Sequence, residues 1–255
     1  MERGNVLITV FAVCVLAGSA LGWGSLISSF NCPSGSQYPN GVAYRSNNVY
    51  ISTNTPDMCW RTTTTGSISR SHTAPGTYSR GIAAGVIGGT GYYWYVNNNP
   101  RRIYQVGYNS GSIYTSFTAP GSDPYGATYR WSGSIYYIYH TDSSGRRLYR
   151  MNATTGSIYG SYSLSFTPND LAYDDSGYLW IADGSASVIR KCSMSGSVYD
   201  SFSVASYGYP SGVGFDGTYV WVGINSPLHR ILRFEVTSGS AVVPTSLGKI
   251  KTVFR

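Results

Sequence analysis

Residues 168–183 read PNDLAYDDSGYLWIAD: a short run of small and apolar residues, a polar turn, then a second run rich in aromatic and aliphatic side chains. Asp, Ser and Gly favour tight turns, and Tyr, Trp, Leu and Ile suit pleated, half-buried surfaces, so the stretch predicts a β-hairpin. Its pattern returns as PNGVAY with NVYIST, SRGIAA with YYWYVN, PYGATY with IYYIYH, and PSGVGF with YVWVGI. One hairpin copied five times is a repeat architecture, and the length of the period decides which one.

Each hairpin is followed by a third apolar stretch (CWRT, RIYQV, RLYRM, VIRKC or RILRF) and then by Gly-Ser with a further strand. The Gly-Ser glycines stand at 24, 66, 111, 156, 196 and 239, spaced by 42, 45, 45, 40 and 43 residues. Such a period, filled by four short strands, is the signature of a propeller blade. The small residues of the first strand suit the position nearest the axis, and the aromatic second strand suits the space between blades. Six Gly-Ser segments accompany only five inner strands. The surplus is explained if residues 24–30 supply the outer strand of the last blade and close the ring, which removes exposed sheet edges. The expectation is an all-β propeller of five four-stranded antiparallel blades over residues 23–240, with six blades as the alternative. The tail, 241–255, is left as a competing strand, a segment packed across the ring or a basic end.

The run PNDLAYDDSGYLWIAD followed by SVIRKCSMSGSVYDSF resembles a blade of the NHL and YVTN-like propellers, and is similar to streptogramin-lyase-like and gluconolactonase-like relatives. Pro210-Ser211-Gly212-Val213 and His229-Arg230-Ile231 carry the same pattern in the fifth repeat, whereas GIAAGVIGGTG in the second lacks the Asp turn. The resemblance implies the fold strongly. It implies activity weakly, because such propellers serve as enzymes, binders and interaction platforms.

Charged residues make up only 11 % of the chain beside 24 Tyr and 31 Gly, which excludes a disordered polyelectrolyte. The net charge of +7 suits an anionic partner, but the Arg residues are scattered without a dense run, which speaks against nucleic acid. Residues 1–22 read as an export signal: a short polar start, the apolar run Val6 to Leu16, and small residues at 17–22. That run is too short for a stable membrane span. The expected product is a secreted or periplasmic monomer.

Resemblance to the enzymatic relatives implies two site types. A gluconolactonase-like centre would hold a divalent cation with acidic and amide side chains. Past the leader the chain carries a single Glu, Glu235, and only Asn97, His140, Asp170 and Asp183 could be gathered near the channel mouth. A streptogramin-lyase-like centre would need a catalytic His with an acidic partner. His72 lies in an outer strand and His229 precedes a third strand, which leaves His140. No nucleophile elbow occurs. No cofactor is therefore expected, and a metal-dependent hydrolase or lyase stands as an alternative to binding, as does a purely structural extracellular scaffold.

In a four-stranded blade the loops leading into the inner strand share a face with those joining strands two and three. Ligand-binding candidates on that face are Tyr38, Asn54, Arg80, Asn97, Tyr125, His140, Asp170, Asp183, Tyr209 and Asn225. Amides and aromatic rings together fit recognition of an extracellular glycan, peptide or protein. The same topology puts Cys32 and Cys59 on one face, so a Cys32–Cys59 disulfide is expected, with Cys192 reduced.

Overall fold

The computed structural model describes residues 23–35 and 38–236. Five four-stranded antiparallel sheets succeed one another around an axis. Blade 1 comprises β2 (Pro39–Arg45), β3 (Asn48–Asn54), β4 (Asp57–Thr63) and β5 (Ile68–Thr73). Blade 2 comprises β6 (Thr77–Ile87), β7 (Thr90–Asn99), β8 (Arg102–Gly107) and β9 (Ile113–Thr118). Blade 3 holds β10 (Pro124–Ser132), β11 (Ile135–Asp142), β12 (Arg147–Asn152) and β13 (Ile158–Ser163). Blade 4 holds β14 (Pro168–Tyr173), β15 (Tyr178–Asp183), β16 (Val188–Ser193) and β17 (Val198–Ser203). Blade 5 is built from β18 (Gly208–Phe215), β19 (Tyr219–Pro227), β20 (Arg230–Glu235) and the N-terminal β1 (Leu26–Asn31). Five blades and closure by the N-terminal strand are as expected from the repeat.

Closure is specific in register. Strand β1 runs antiparallel to β20 with Phe30 opposite Ile231, and Gly24 N–H donates to the Glu235 carbonyl at 2.7 Å. The Trp23 indole donates to the Val236 carbonyl at 2.8 Å, while its ring packs on Trp180 and Phe202 of blade 4. The expected leader, 1–22, and tail, 241–255, lie outside the described residues.

Burial falls from axis to rim. Inner-strand Val42, Ile82, Ala127, Leu171 and Val213 are buried, as are the second-strand Tyr50, Trp94, Tyr139, Trp180 and Trp221 that fill the seams. The outer strands expose Ile68, Tyr114, Tyr159 and Tyr199. Two devices shape the turns. Asp174 Oδ1 accepts the N–H groups of Ser176 and Tyr178, and Asp216 Oδ1 those of Thr218 and Tyr219, which explains the Asp at the start of these hairpin turns. In the Gly-Ser turns, Gly66 and Gly196 adopt φ near 90°, a conformation that other residues avoid.

The expected Cys32–Cys59 disulfide does not form; both thiols are free. Cys32 lies in the seam between blades 5 and 1 with Val42, Trp60 and Trp221. Cys59 lies in the seam between blades 1 and 2 with Tyr50, Tyr93 and Tyr95. A shared end of the ring is not enough, because Cys32 follows the blade 5 strand β1 and Cys59 lies in blade 1, and the blade 1 sheet stands between the two seams. Burial pushes both thiols up to about 12, and Cys192 likewise, so none is a nucleophile at neutral pH.

Candidate functional site

The five inner strands align as Asn40-Gly41-Val42-Ala43-Tyr44, Arg80-Gly81-Ile82-Ala83-Ala84, Tyr125-Gly126-Ala127-Thr128-Tyr129, Asn169-Asp170-Leu171-Ala172-Tyr173 and Ser211-Gly212-Val213-Gly214-Phe215. Four carry Gly at the second position because the backbones nearly touch there. A Cβ on Gly41 would stand 2.6 Å from Gly81 Cα, one on Gly81 2.6 Å from Gly126 Cα, and one on Gly126 2.6 Å from Asp170 Cα.

Asp170 is the one residue of this ring with a side chain. Its Oδ2 accepts the N–H groups of Val42 at 2.9 Å and Val213 at 3.0 Å, and its Oδ1 that of Ala127 at 3.2 Å. Burial pushes the carboxyl well above its ordinary range, and the backbone donors of Val213, Val42, Leu171 and Ala127 pull it back. The carboxylate therefore joins blades 1, 3, 4 and 5 at the axis and separates the two ends of the ring.

On the loop-bearing end, the nominated residues are largely engaged with the protein itself. Asn97, fully buried, donates to the Thr77 carbonyl at 3.0 Å. His140 is buried with Nδ1 2.7 Å from the Gly126 carbonyl and Nε2 3.2 Å from that of Pro120, and burial lowers its pKa. Asp183 takes two hydrogen bonds from the Arg190 guanidinium at 2.9 and 2.7 Å. Tyr125 lies buried under Arg80, whose guanidinium is 4.7 Å from its ring centre. Asn225 donates to Asn40 at 3.2 Å and accepts from Ser211 at 2.9 Å. Asn54 and Arg80 are half-buried, while Tyr38 and Tyr209 remain exposed.

Asn97, His140, Asp170 and Asp183 thus do not converge as metal ligands. Among the described residues no three His, Cys, Asp or Glu side chains form a group that could hold a metal ion. A gluconolactonase-like centre does not fit these side chains.

A cavity opens on the opposite end, among the hairpin turns between first and second strands. It measures about 550 Å³. Its floor is the ring Val42, Ile82, Ala127, Leu171 and Val213, directly beyond the Asp170 carboxylate. Tyr44, Tyr129, Tyr173 and Phe215 wall it, and Arg45, Arg130, Trp131, Asp175 and the turn Gly88-Gly89 form its mouth. The wall is rigid. Tyr44 stacks on Trp221 at 9°, Tyr129 on Trp94 at 16° and Phe215 on Trp180 at 29°, each on the preceding blade. Blade 2 is the exception, with Ala84 where the others carry an aromatic ring. There Tyr129 leans across Gly85 and donates to the Val86 carbonyl at 2.6 Å.

No wall residue was nominated from the sequence. The available signal was the column Tyr44, Ala84, Tyr129, Tyr173 and Phe215 at one position of five aligned strands. It reads as seam packing until the inward tilt of the inner strands is known.

Fold and site together define a five-bladed propeller with a plugged axis and one aromatic funnel. Among solved structures it is similar to Myxococcus xanthus glutaminyl cyclase, with a TM-score of 0.65 and 10 % identity over 84 % of this chain and 97 % of that one. It is also similar to virginiamycin B lyase from Staphylococcus aureus, with a TM-score of 0.51 and 20 % identity over 80 % of this chain and 68 % of that one. The β-propeller domain of Cps50 (Swd1) from Myceliophteria thermophila gives 0.54 and 9 % identity over 84 % of this chain and 100 % of that one. At such identities the likeness is one of fold. No known family profile matches the chain, and no curated protein is similar to it in sequence.

Proposed function

We propose that the protein is a binding module whose ligand is a small molecule seated in the funnel at the hairpin-turn end. The observation that carries this is the cavity of about 550 Å³, walled by stacked aromatic side chains over an apolar floor. That size and lining match sites that enclose most of a small ligand's surface. Among the described residues lining it, Asp175 is the sole carboxylate, and no His or Cys occurs. Such a lining supports recognition and supplies no paired acid and base for the hydrolase or lyase alternative. Export and extracellular action remain part of the proposal, on the strength of residues 1–22 alone.

The test is titration with the neutral fluorescent probe N-phenyl-1-naphthylamine. Saturable binding to the wild type, weakened at least tenfold by Ala84→Tyr, is expected, because Ala84 lines the cavity and a ring added there takes up its volume. Probe binding that ignores this substitution would place the ligand elsewhere.

The second reading keeps the ligand on the loop-bearing end and is favoured by exposed Tyr38, Tyr209 and Leu228 there. A glycan or peptide partner abolished by Tyr38→Ala and Tyr209→Ala, and indifferent to Ala84→Tyr, would select it.

A further inference from the structure

The residue after each wall position divides the funnel electrically. In blades 4 and 5 it is Asp174 and Asp216, and each faces a third-strand cation: Lys191 Nζ lies 3.6 Å from Asp174 and Arg233 Nε 3.9 Å from Asp216. The register puts Lys191 opposite Trp180 and Arg233 opposite Trp221; the matching third-strand residues are Arg61 opposite Tyr50 and Arg150 opposite Tyr139. In blades 1 and 3 the residue after the wall aromatic is not Asp but Arg45 and Arg130, so cation stands beside cation.

None of Arg45, Arg61, Arg130 and Arg150 takes part in an ion pair among the described residues. The Nε atoms of Arg61, Arg130 and Arg150 are buried without a hydrogen-bond partner, as is the Tyr108 hydroxyl. Burial raises the pKa of Tyr50, Tyr108 and Tyr129, and the charge of Arg45 opposes that rise at all three, which places its field on this side of the funnel. The Arg130 guanidinium carbon lies over the Tyr173 ring, 5.0 Å from its centre. Both Arg45 and Arg130 line the cavity. The cavity lining therefore carries two cations outside any ion pair, Arg45 and Arg130 on blades 1 and 3, against one carboxylate, Asp175 on blade 4, while Asp174 and Asp216 behind it are matched by Lys191 and Arg233.

We propose that the ligand is a small aromatic anion, a carboxylate, sulfonate or sulfate, with its acid group on the side of Arg45 and Arg130. The inference rests on the funnel being the binding site. The apolar body lies against Tyr173 and Phe215 over the aliphatic floor, and the acid accepts guanidinium N–H bonds that no protein carboxylate claims. Charge-assisted bonds of this kind are the stronger class, and a planar guanidinium suits a planar or tetrahedral oxyanion.

Two dyes with one skeleton separate the claims. N-phenyl-1-naphthylamine carries no charge, and 8-anilinonaphthalene-1-sulfonate adds only the sulfonate. The expected result is sulfonate binding about tenfold tighter or more at low salt, as one charge-assisted contact confers. That preference should shrink as ionic strength rises, and Arg45→Gln and Arg130→Gln should each lower the ratio of sulfonate-dye to neutral-dye affinity. Equal affinity of the two dyes for the wild type, or a preference that survives both substitutions, would overturn the anion assignment while the funnel stands. Failure of both dyes to respond to Ala84→Tyr would instead remove the funnel. The salt dependence is read on the wild type and stands even if a variant fails to fold.

Discussion

The Asp170 carboxylate accepts the Val42 backbone N–H at 2.9 Å across 128 positions of sequence, tying blade 4 to blade 1 through the axis. Neighbouring blades meet along broad seams, but blades 1 and 4 are not neighbours in the ring. A single side chain at the axis therefore links sheets that no seam connects. With Val213 and Ala127 donating to the same group, this carboxylate replaces the water that the inner-strand N–H groups would otherwise need.

Asp170→Gly should leave those donors without an acceptor and destabilise the protein by about 3–5 kcal/mol. Because glycine also vacates the carboxylate's volume, formate at high concentration should partly restore the melting temperature of the variant by mass action. It should do nothing for the wild type. Thermal melts with sodium formate against sodium chloride read this directly, and a variant as stable as the wild type would show that the ring needs no internal acceptor.

Gly126→Ala tests the close approach itself. The added methyl would meet the Asp170 Cα and the Asn169 carbonyl, both backbone atoms with no room to yield. A loss of about 2–4 kcal/mol is expected in urea unfolding, in line with other overpacked sites. The same change at Gly89, where nothing lies within 4 Å, meets no such wall. A strain from its positive φ of 82° remains there, of about 1 kcal/mol.

The pH dependence follows from His140. Burial holds its pKa below the ordinary 6.5, so the unfolded chain binds more protons in the window just under that value. Stability is then full above about pH 7 and falls as the pH drops through 6.5, with a slope of up to ~1.4 kcal/mol per unit for one proton. His72, also lowered by burial, adds to the same slope. Replacing His140 by Gln should flatten the melting temperature between pH 7 and 5. An unchanged slope in that variant would assign the acid sensitivity elsewhere.

The fold was legible because strand period and turn chemistry repeat locally. Asp174 and Asp216 cap their own hairpins, and Gly66 and Gly196 turn their own chain, so each signal needs no partner far away. The site was harder to read. Asp170 and Asp183 both look like strand-end carboxylates available to a ligand, yet one accepts backbone donors from three other blades and the other is claimed by Arg190. Asp170 could have been singled out as the sole non-glycine in its aligned column. The charge split of the funnel was likewise written in Arg45, Arg130, Asp174 and Asp216. It acquires meaning only once the third-strand cations opposite them are paired in register.

The three buried thiols predict an alkylation pattern. Iodoacetamide should leave Cys32, Cys59 and Cys192 unmodified in the native protein and label all three in denaturant without reductant. Peptide mapping by mass spectrometry checks each site. A disulfide-linked Cys32 and Cys59 peptide pair would show that blade 1 adopts a different local structure in solution.

Ring closure by β1 can be separated from the rest of the chain. Removing residues 1–31 exposes the β20 edge, whose N–H and C=O groups then face water and other molecules. It also removes Trp23, whose indole and ring contacts on Trp180 and Phe202 hold blades 4 and 5 together, a further loss of about 3 kcal/mol or more. The truncated chain should therefore melt earlier and associate through its open edge. Supplied as a separate peptide, residues 23–31 (WGSLISSFN) should add back as a strand and raise the melting temperature in a saturable way. A peptide with Phe30→Asp should fail, since Phe30 packs against Trp221 and the Gly66 turn. Rescue by both peptides alike would mean that backbone pairing alone closes the ring, and absence of rescue by either would place the stabilising role of residues 1–31 outside β1.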